Sequence, residues 1–243
     1  MRLRRGKYQT RMADSEADLA QCQSLRMRAF KGCDGRDADP FDKLCTHIMV
    51  EDSATGTLVS CFRILPLPDG SQIDASYSAQ YYELSKLRDF SGKMAEMGRF
   101  CVDPNATDPD ILRVAWGALT RYVDENEVEM LFGCTSFPGT TPDSYTDAFA
   151  LLKDKHLAPP RWLPRIKAPD IFAFSKFLHR RTPDLKQAML GMPPLLRSYL
   201  ILGGWVSDHA VVDREMNTLH VFTGLEIRAI PASRKRLLRA AAR

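Results

Sequence analysis

A carboxylate and a guanidinium, three residues apart around a glycine in an otherwise apolar run, constrain this chain more than any other feature. The run is Met94-Ala95-Glu96-Met97-Gly98-Arg99-Phe100-Cys101-Val102, and its second half reads as a buried strand. On a regular strand, positions 96 and 99 point to opposite faces. An extra residue at Gly98, as in a β-bulge, would bring Glu96 and Arg99 to one side and turn backbone N–H groups outward. A carboxylate base beside open amide donors is the equipment of acyl transfer.

The elements around that strand follow from period and punctuation. Lys7 to Met12 alternates as a strand, and Ser15-Glu16-Ala17-Asp18 is a capping box for a helix carrying Leu19, Cys22, Leu25, Arg26 and Phe30. After a Gly/Asp loop from Gly32 to Pro40, His47–Glu51 and Thr57–Leu65 flank Asp52-Ser53-Ala54-Thr55-Gly56 as a hairpin. Ser78–Leu87 reads as a short excursion, and Asn105–Pro109 opens a second helix with Ile111, Ala115, Leu119 and Tyr122 on one face. A strand at Met130–Thr135, a helix at Pro142–Lys155, a Pro-rich passage over Pro159–Lys176 and a closing strand at Thr218–Ile230 complete the order. This predicts an α/β chain, a mixed sheet flanked by helices with a C-terminal elaboration, as in GNAT-type N-acyltransferases. The domain boundary is expected between a core over 1–158 and a basic part over 159–243.

Composition narrows the function classes. The six cysteines (Cys22, Cys33, Cys45, Cys61, Cys101, Cys134) contain no CxxC pair, so neither a disulfide scaffold nor a zinc site is expected. The five histidines (His47, His156, His179, His209, His220) show no ligand spacing, and no metal is expected. No secretory pattern or membrane-spanning apolar run is visible, which predicts a cytoplasmic protein. The net charge of +4 is uneven: residues 159–243 hold 15 Lys/Arg and 6 Asp/Glu, leaving 19 against 24 in residues 1–158. The basic part is expected to face an anionic membrane surface, peripherally at the inner membrane, or simply to be a solvated basic face. Nucleic acid is not expected, because Ser233-Arg234-Lys235-Arg236-Leu237-Leu238-Arg239 interleaves no aromatics with its charges.

Coenzyme A enzymes of this fold class carry a Gly-rich turn after the central strand, which cradles the pyrophosphate. Here the turn is Asp103-Pro104-Asn105-Ala106-Thr107-Asp108-Pro109-Asp110, without glycine and with three aspartates. That predicts no bound cofactor and an acyl donor carried on the phosphopantetheine of acyl carrier protein. The carrier's acidic helices would be met by Arg113, Arg121, Lys153 and Lys155.

Two related families are resembled by these residues. Leu25-Arg26 through Phe30, Asp42, Arg63 and Glu96-Met97-Gly98-Arg99 resemble the signature of the acyl-homoserine-lactone synthases, but no tryptophan lies near Arg36, and Cys45 stands where that family has a second aspartate. Those two positions help bind S-adenosylmethionine there. The chain is more similar to the hemolysin-like GNAT family of bacterial ornithine-lipid synthesis, the L-ornithine Nα-acyltransferases. That similarity rests on Phe41-Asp42, Cys45-Thr46-His47, Glu96-Met97-Gly98-Arg99-Phe100-Cys101-Val102, Leu131-Phe132-Gly133-Cys134-Thr135-Ser136-Phe137 and Pro193-Pro194-Leu195-Leu196-Arg197-Ser198-Tyr199. It spans about residues 8–231. The resemblance implies transfer of a 3-hydroxyacyl group from carrier protein to the α-amine of ornithine, or of a related amino acid such as glutamine or lysine, giving a lyso-aminolipid. The rivals are an acyl-homoserine-lactone synthase and a non-catalytic lipid-binding module.

Roles follow for single residues. Glu96 is the expected general base, with a plain salt bridge to Arg99 as the alternative, and His47 could share its proton relay. Asp42 is read as a binder of the acceptor's ammonium or an N-cap, and Arg63, Arg99 and Arg26 as acceptor-binding groups, Arg63 as a carboxylate clamp. The amides of Arg99, Phe100 and Cys101 are expected to receive the oxyanion. The Cys101 thiol, between Phe100 and Val102, reads as packed rather than nucleophilic. Leu195–Trp205 is either core or an interfacial patch.

Overall fold

A computed structural model describes residues 2–242; Arg243, one of the basic tail residues counted above, lies outside them. The chain opens with β1 (Arg2–Arg5), β2 (Tyr8–Met12), α1 (Glu16–Lys31), β3 (Thr46–Asp52) and β4 (Leu58–Leu67). Next come β5 (Tyr82–Glu83), β6 (Met94–Val102), α2 (Asp110–Asn126), β7 (Met130–Pro138) and α3 (Thr146–Lys155). β8 (Arg165–Ile166), β9 (Ile171–Phe172), α4 (Phe174–Phe177), α5 (Leu185–Gly191) and α6 (Pro194–Ile201) follow. The last elements are β10 (Trp205–Val206), β11 (Ala210–Asp213), β12 (Thr218–Glu226) and α7 (Ala232–Ala241). Two compact units result, one from residues 1–66, 97–128 and 231–243, the other from 67–96 and 129–230. They interleave along the chain, whereas the sequence reading divides it once, at 158/159.

In the first unit β1 to β4 form an antiparallel meander, with Arg2 opposite Arg11, Tyr8 opposite Asp52 and Thr46 opposite Ile64. Helix α1 starts where Ser15 accepts a hydrogen bond from the Asp18 amide (3.2 Å) and stops at Gly32, whose φ of 66° suits a residue without Cβ. Its Cys22 and Leu25 pack with Met49, Leu58, Cys61 and Cys101. Helix α2 buries the predicted face, Ile111, Ala115, Leu119 and Tyr122. Residues Arg234–Arg239, which in sequence alternate charges with aliphatics, lie in α7, which packs on α2. The approach is close enough that a Cβ at Gly117 would stand 2.7 Å from the Ala241 carbonyl oxygen.

The second unit is a mixed sheet. Met94–Glu96 of β6 runs parallel to β7, with Glu96 opposite Phe132. β7 pairs antiparallel with β12 along its whole length, and β12 with β10 and β11. β11 pairs in turn with β9, and β5 with β8 as a separate ribbon. The closing strand is shorter than expected, ending at Glu226 in a 3-10 turn over Ile227–Ala229. Phe137, Phe149, Phe174, Leu152, Leu196 and Val221 form its buried aromatic and aliphatic core; Leu196 puts α6 in that core. The Phe149 ring lies 4.7 Å from Phe137 and 5.2 Å from Phe174, separations at which tilted and offset rings attract.

Candidate active site

The second unit gathers polar groups around Glu96. The Glu96 side chain is 4% exposed, so its carboxylate must find donors inside the protein. Its donors include the Tyr77 amide to Oε2 (2.7 Å), the Ser78 amide to Oε1 (2.7 Å) and the Ser78 hydroxyl to Oε1 (2.5 Å). The amides come from the start of a 3-10 turn over Ser78–Gln80, where backbone N–H groups lack helical partners. The Ser78 Oγ also stands 3.4 Å from the Cys134 thiol on β7. Glu96 is thus held in one orientation by a serine whose hydroxyl also stands next to a thiol.

Aromatic and imidazole groups extend from Tyr77. The Tyr77 and Tyr81 hydroxyls are 3.3 Å apart, and burial pushes the Tyr81 phenol well above its ordinary range. The Tyr81 ring meets His220 edge-on at 5.0 Å. The Tyr82 hydroxyl donates to the His220 carbonyl at 2.8 Å and lies 3.2 Å from Nδ1, while Nε2 is buried without a hydrogen-bond partner. Burial lowers the His220 pKa to about 4, with His209 adding to the shift and Asp213 opposing it, so this imidazole is neutral at pH 7. Sequence reasoning missed Tyr77, Ser78, Tyr81, Cys134 and His220. The Leu131–Phe137 stretch that contains Cys134 was its one pointer.

The first unit gathers three guanidiniums and three carboxylates. Asp42 accepts from Arg26 NH1 and NH2 (both 2.8 Å), from Arg63 NH1 (2.7 Å) and from Gln23 Nε2 (2.9 Å). Burial raises the Asp42 pKa, but the hydrogen bonds from Arg26, Gln23 and Arg63 win and hold it well below the carboxylate range. Arg63 grips Asp39 through both nitrogens (2.6 and 2.8 Å), and Arg99 reaches Asp37 (3.0 Å) and Asp39 (3.2 Å). At Asp39, too, burial is outweighed, by Arg63 and then Arg99. The sequence reading named Asp42, Arg26, Arg63 and Arg99 but neither Asp37 nor Asp39. In this structure the forks of Arg63 face aspartates of the same unit. His47 lies 2.9 Å through Nε2 from the Asp42 carbonyl, and burial lowers its pKa, so it is a neutral donor to backbone.

The remaining predicted residues are scattered. The irregularity expected at Gly98 falls one residue later: Arg99 has φ 52°, while Gly98 does not have positive φ, and a Cβ there would meet Arg63 Nε at an ordinary contact distance of 3.7 Å. A left-handed non-glycine residue costs on the order of 1 kcal/mol or more and persists only where its surroundings impose it; here its guanidinium is tied to Asp37 and Asp39. Phe100 packs on Phe62 at 5.8 Å, and the Cys101 thiol is buried 3.6 Å from Cys61. Arg113 and Arg121 are exposed or half-exposed on α2 and bridge Asp110 (3.0 Å) and Glu125 (2.7 Å). On α3, Lys153 donates to the carbonyls of Leu178 (2.8 Å) and Arg181 (3.0 Å), and Lys155 is exposed. In the acidic turn, Lys7 bridges Asp108 at 2.8 Å and holds its carboxyl at about 2, and Arg28 reaches Asp103 at 3.3 Å. All three aspartates counted against a pyrophosphate are therefore partly neutralised, Asp110 by Arg113.

Comparison with known proteins gives this geometry a context. Residues 21–117 match the family described as acetyltransferase (GNAT) domain. Among solved structures, the chain is similar to TofI in an apo form, with a TM-score of 0.53 at 14% identity over 97% of this chain and 99% of that one. It is also similar to FeeM, an N-acyl amino acid synthase from uncultured soil microbes, with a TM-score of 0.50 at 11% identity over 91% and 90%. The fold is thus that of the GNAT acyltransferases. Curated relatives narrow this: an L-ornithine N(alpha)-acyltransferase of Rhodobacter capsulatus is 30% identical over 92% of this chain and 91% of its own length. One of Brucella abortus is 28% identical over 93% and 86%. The chain belongs to the L-ornithine Nα-acyltransferase family.

Proposed function

We propose that the chain transfers a 3-hydroxyacyl group from the phosphopantetheine thioester of acyl carrier protein to the α-amine of ornithine, giving a lyso-aminolipid. The observation that carries this reading is similarity along nearly the whole length to ornithine acyltransferases. Beside it stands a buried carboxylate oriented by the amides of Tyr77 and Ser78. In the reaction the acceptor's amine forms the C–N bond, the C–S bond breaks, the amine's proton goes to Glu96, and the thiolate leaves to be protonated. The Ser78 hydroxyl, 2.5 Å from Glu96, and the Cys134 thiol, 3.4 Å from that hydroxyl, are protic groups of that unit for the last step. Backbone amides at Arg99, Phe100 and Cys101 are the proposed oxyanion donors. Arg63 and Arg99 are proposed for the acceptor's carboxylate, which would replace that of Asp39, with Arg26 and His47 fixing Asp42 behind them. Arg113, Arg121, Lys153 and Lys155 remain the proposed carrier contacts, with no resident cofactor or metal and no nucleic-acid partner. The site of action is proposed to be the cytoplasmic face of the inner membrane.

Mass spectrometry of lipids from cells with and without the chain tests the reading. A new N-acylated ornithine in the lipid extract supports it, and an acyl-homoserine lactone in the medium overturns it. Glu96→Gln should lower turnover with purified acyl carrier protein by about two to four orders of magnitude; near-normal turnover in the folded variant would remove Glu96 from the mechanism.

A further inference from the structure

Large apolar side chains stand in solvent along one stretch of the second unit. Phe177 is 74% exposed, Leu190 72%, Leu185 62% and Met189 42%. They belong to α4 and α5, both packed on α3. Of the residues in α5 only Ala188 is buried, so that helix presents nearly its whole surface outward. The stretch is nonetheless tied down: Lys153 holds its carbonyls, and Asp147 accepts from Arg181 (3.1 Å) and from the Asp184 amide (3.2 Å). Asp184 caps α5 by accepting from the amides of Lys186 (2.8 Å) and Gln187 (3.1 Å).

The charge on this stretch is mostly of one sign. Lys176, Arg180 and Lys186 are exposed and have no acidic partner among the described residues. The acid within the stretch, Asp184, is committed to capping. Protruding aliphatic and aromatic side chains interspersed along the chain with ammonium and guanidinium groups match a bilayer surface, where apolar groups enter the acyl boundary and cations meet phosphates. An acidic protein would answer the charges but leave the projecting Phe177, Leu185 and Leu190 without an apolar medium.

We propose that the α4–α5 surface docks the protein on an anionic bilayer, with Phe177, Leu185, Met189 and Leu190 inserted and Lys176, Arg180 and Lys186 at the level of the head groups. The proposal deepens the reading that the product is a lipid and moves the contact from the basic tail in α7 to this shelf. Its test is cosedimentation of the full chain with vesicles of phosphatidylglycerol and phosphatidylcholine or of phosphatidylcholine alone, which needs no turnover. Phe177→Gln/Leu185→Gln/Leu190→Gln should lower partitioning onto anionic vesicles about tenfold or more. Lys176→Glu/Arg180→Glu/Lys186→Glu should abolish the preference for anionic lipid and its salt dependence, and both variants should keep the parent's circular dichroism and its turnover on soluble substrates. Parent-like partitioning of the apolar variant overturns the proposal. So does loss of binding only when Arg234, Lys235 and Arg236 are reversed, or a raised KM for acyl carrier protein with vesicle binding intact. Side-chain-dependent vesicle binding in a chain that forms no acylated amino acid would sink the functional reading while supporting the surface.

Discussion

Ser78 donates its amide and its hydroxyl to the same oxygen of Glu96, so it fixes where that carboxylate points. Ser78→Ala should lower kcat about tenfold to a hundredfold with the acceptor's KM little changed, since a hydrogen bond to a charged group is worth about 1.5–3 kcal/mol; steady-state kinetics decides, and an unchanged kcat would make the hydroxyl dispensable. Asp42 neutralises two guanidiniums that are themselves buried, Arg26 and Arg63. Asp42→Asn should cost about 3–5 kcal/mol in denaturant unfolding, because it strands buried charge. The depressed Asp42 pKa contributes stability that is complete above the unfolded carboxylate pKa of about 4 and is lost as pH falls below it. His220 acts earlier in an acid titration. Its folded pKa near 4 lies below the unfolded value of about 6.5, so the unfolded state takes the proton first and stability drops as pH falls between those values. His220→Gln should flatten the thermal-midpoint curve in that window, and an equally steep curve would show that another group titrates. Glu96, Arg63 and Asp42 were legible in sequence because charge is conspicuous in or beside an apolar strand. Tyr77, Ser78 and Tyr81 were not, because nothing in a short loop run distinguishes a residue that folds back onto a carboxylate from one that faces water.

Elements with strong local signals are the ones the sequence made readable. The Ser15 cap, the apolar face of α2 and the hairpin at Asp52–Gly56 each rest on contacts within a few residues. β5, β8, β9 and β10 have two residues apiece, too few to show a period, and α5 offers no buried face that would mark it as a helix. The tail misled for a different reason. Arg234–Arg239 has little apolar content, and its helical form is favoured by packing on α2 and by the Arg239–Asp124 bridge at 2.9 Å. Gly117→Val should therefore destabilise by about 1–3 kcal/mol, the cost of overpacking, since the added side chain meets backbone of α7. A thermal midpoint equal to the parent's would mean that α7 lifts away freely.

For the whole molecule, the chain order pointed to the GNAT fold and the combination of motifs to the family, because both survive as patterns along the sequence. The division into units was hidden, since it depends on which distant segments meet. The acyl donor is a property at this scale. If carrier protein is the natural donor, kcat/KM for acyl carrier protein should exceed that for the matching acyl-coenzyme A by about tenfold or more through the partner's added surface; equal values would mean that the Asp103–Asp110 turn, with Lys7 and Arg28 compensating its charge, tolerates a pyrophosphate. The interleaving has a practical corollary. The backbone passes from one unit to the other after residues 66, 96, 128 and 230, so no single cut releases either as a continuous fragment. A piece covering 1–158 would carry α2 without its α7 partner and β7 without β12. Exchange of one unit between relatives, by an engineer or by recombination, would have to splice inside β6, between Glu96 and the arginine three residues beyond it.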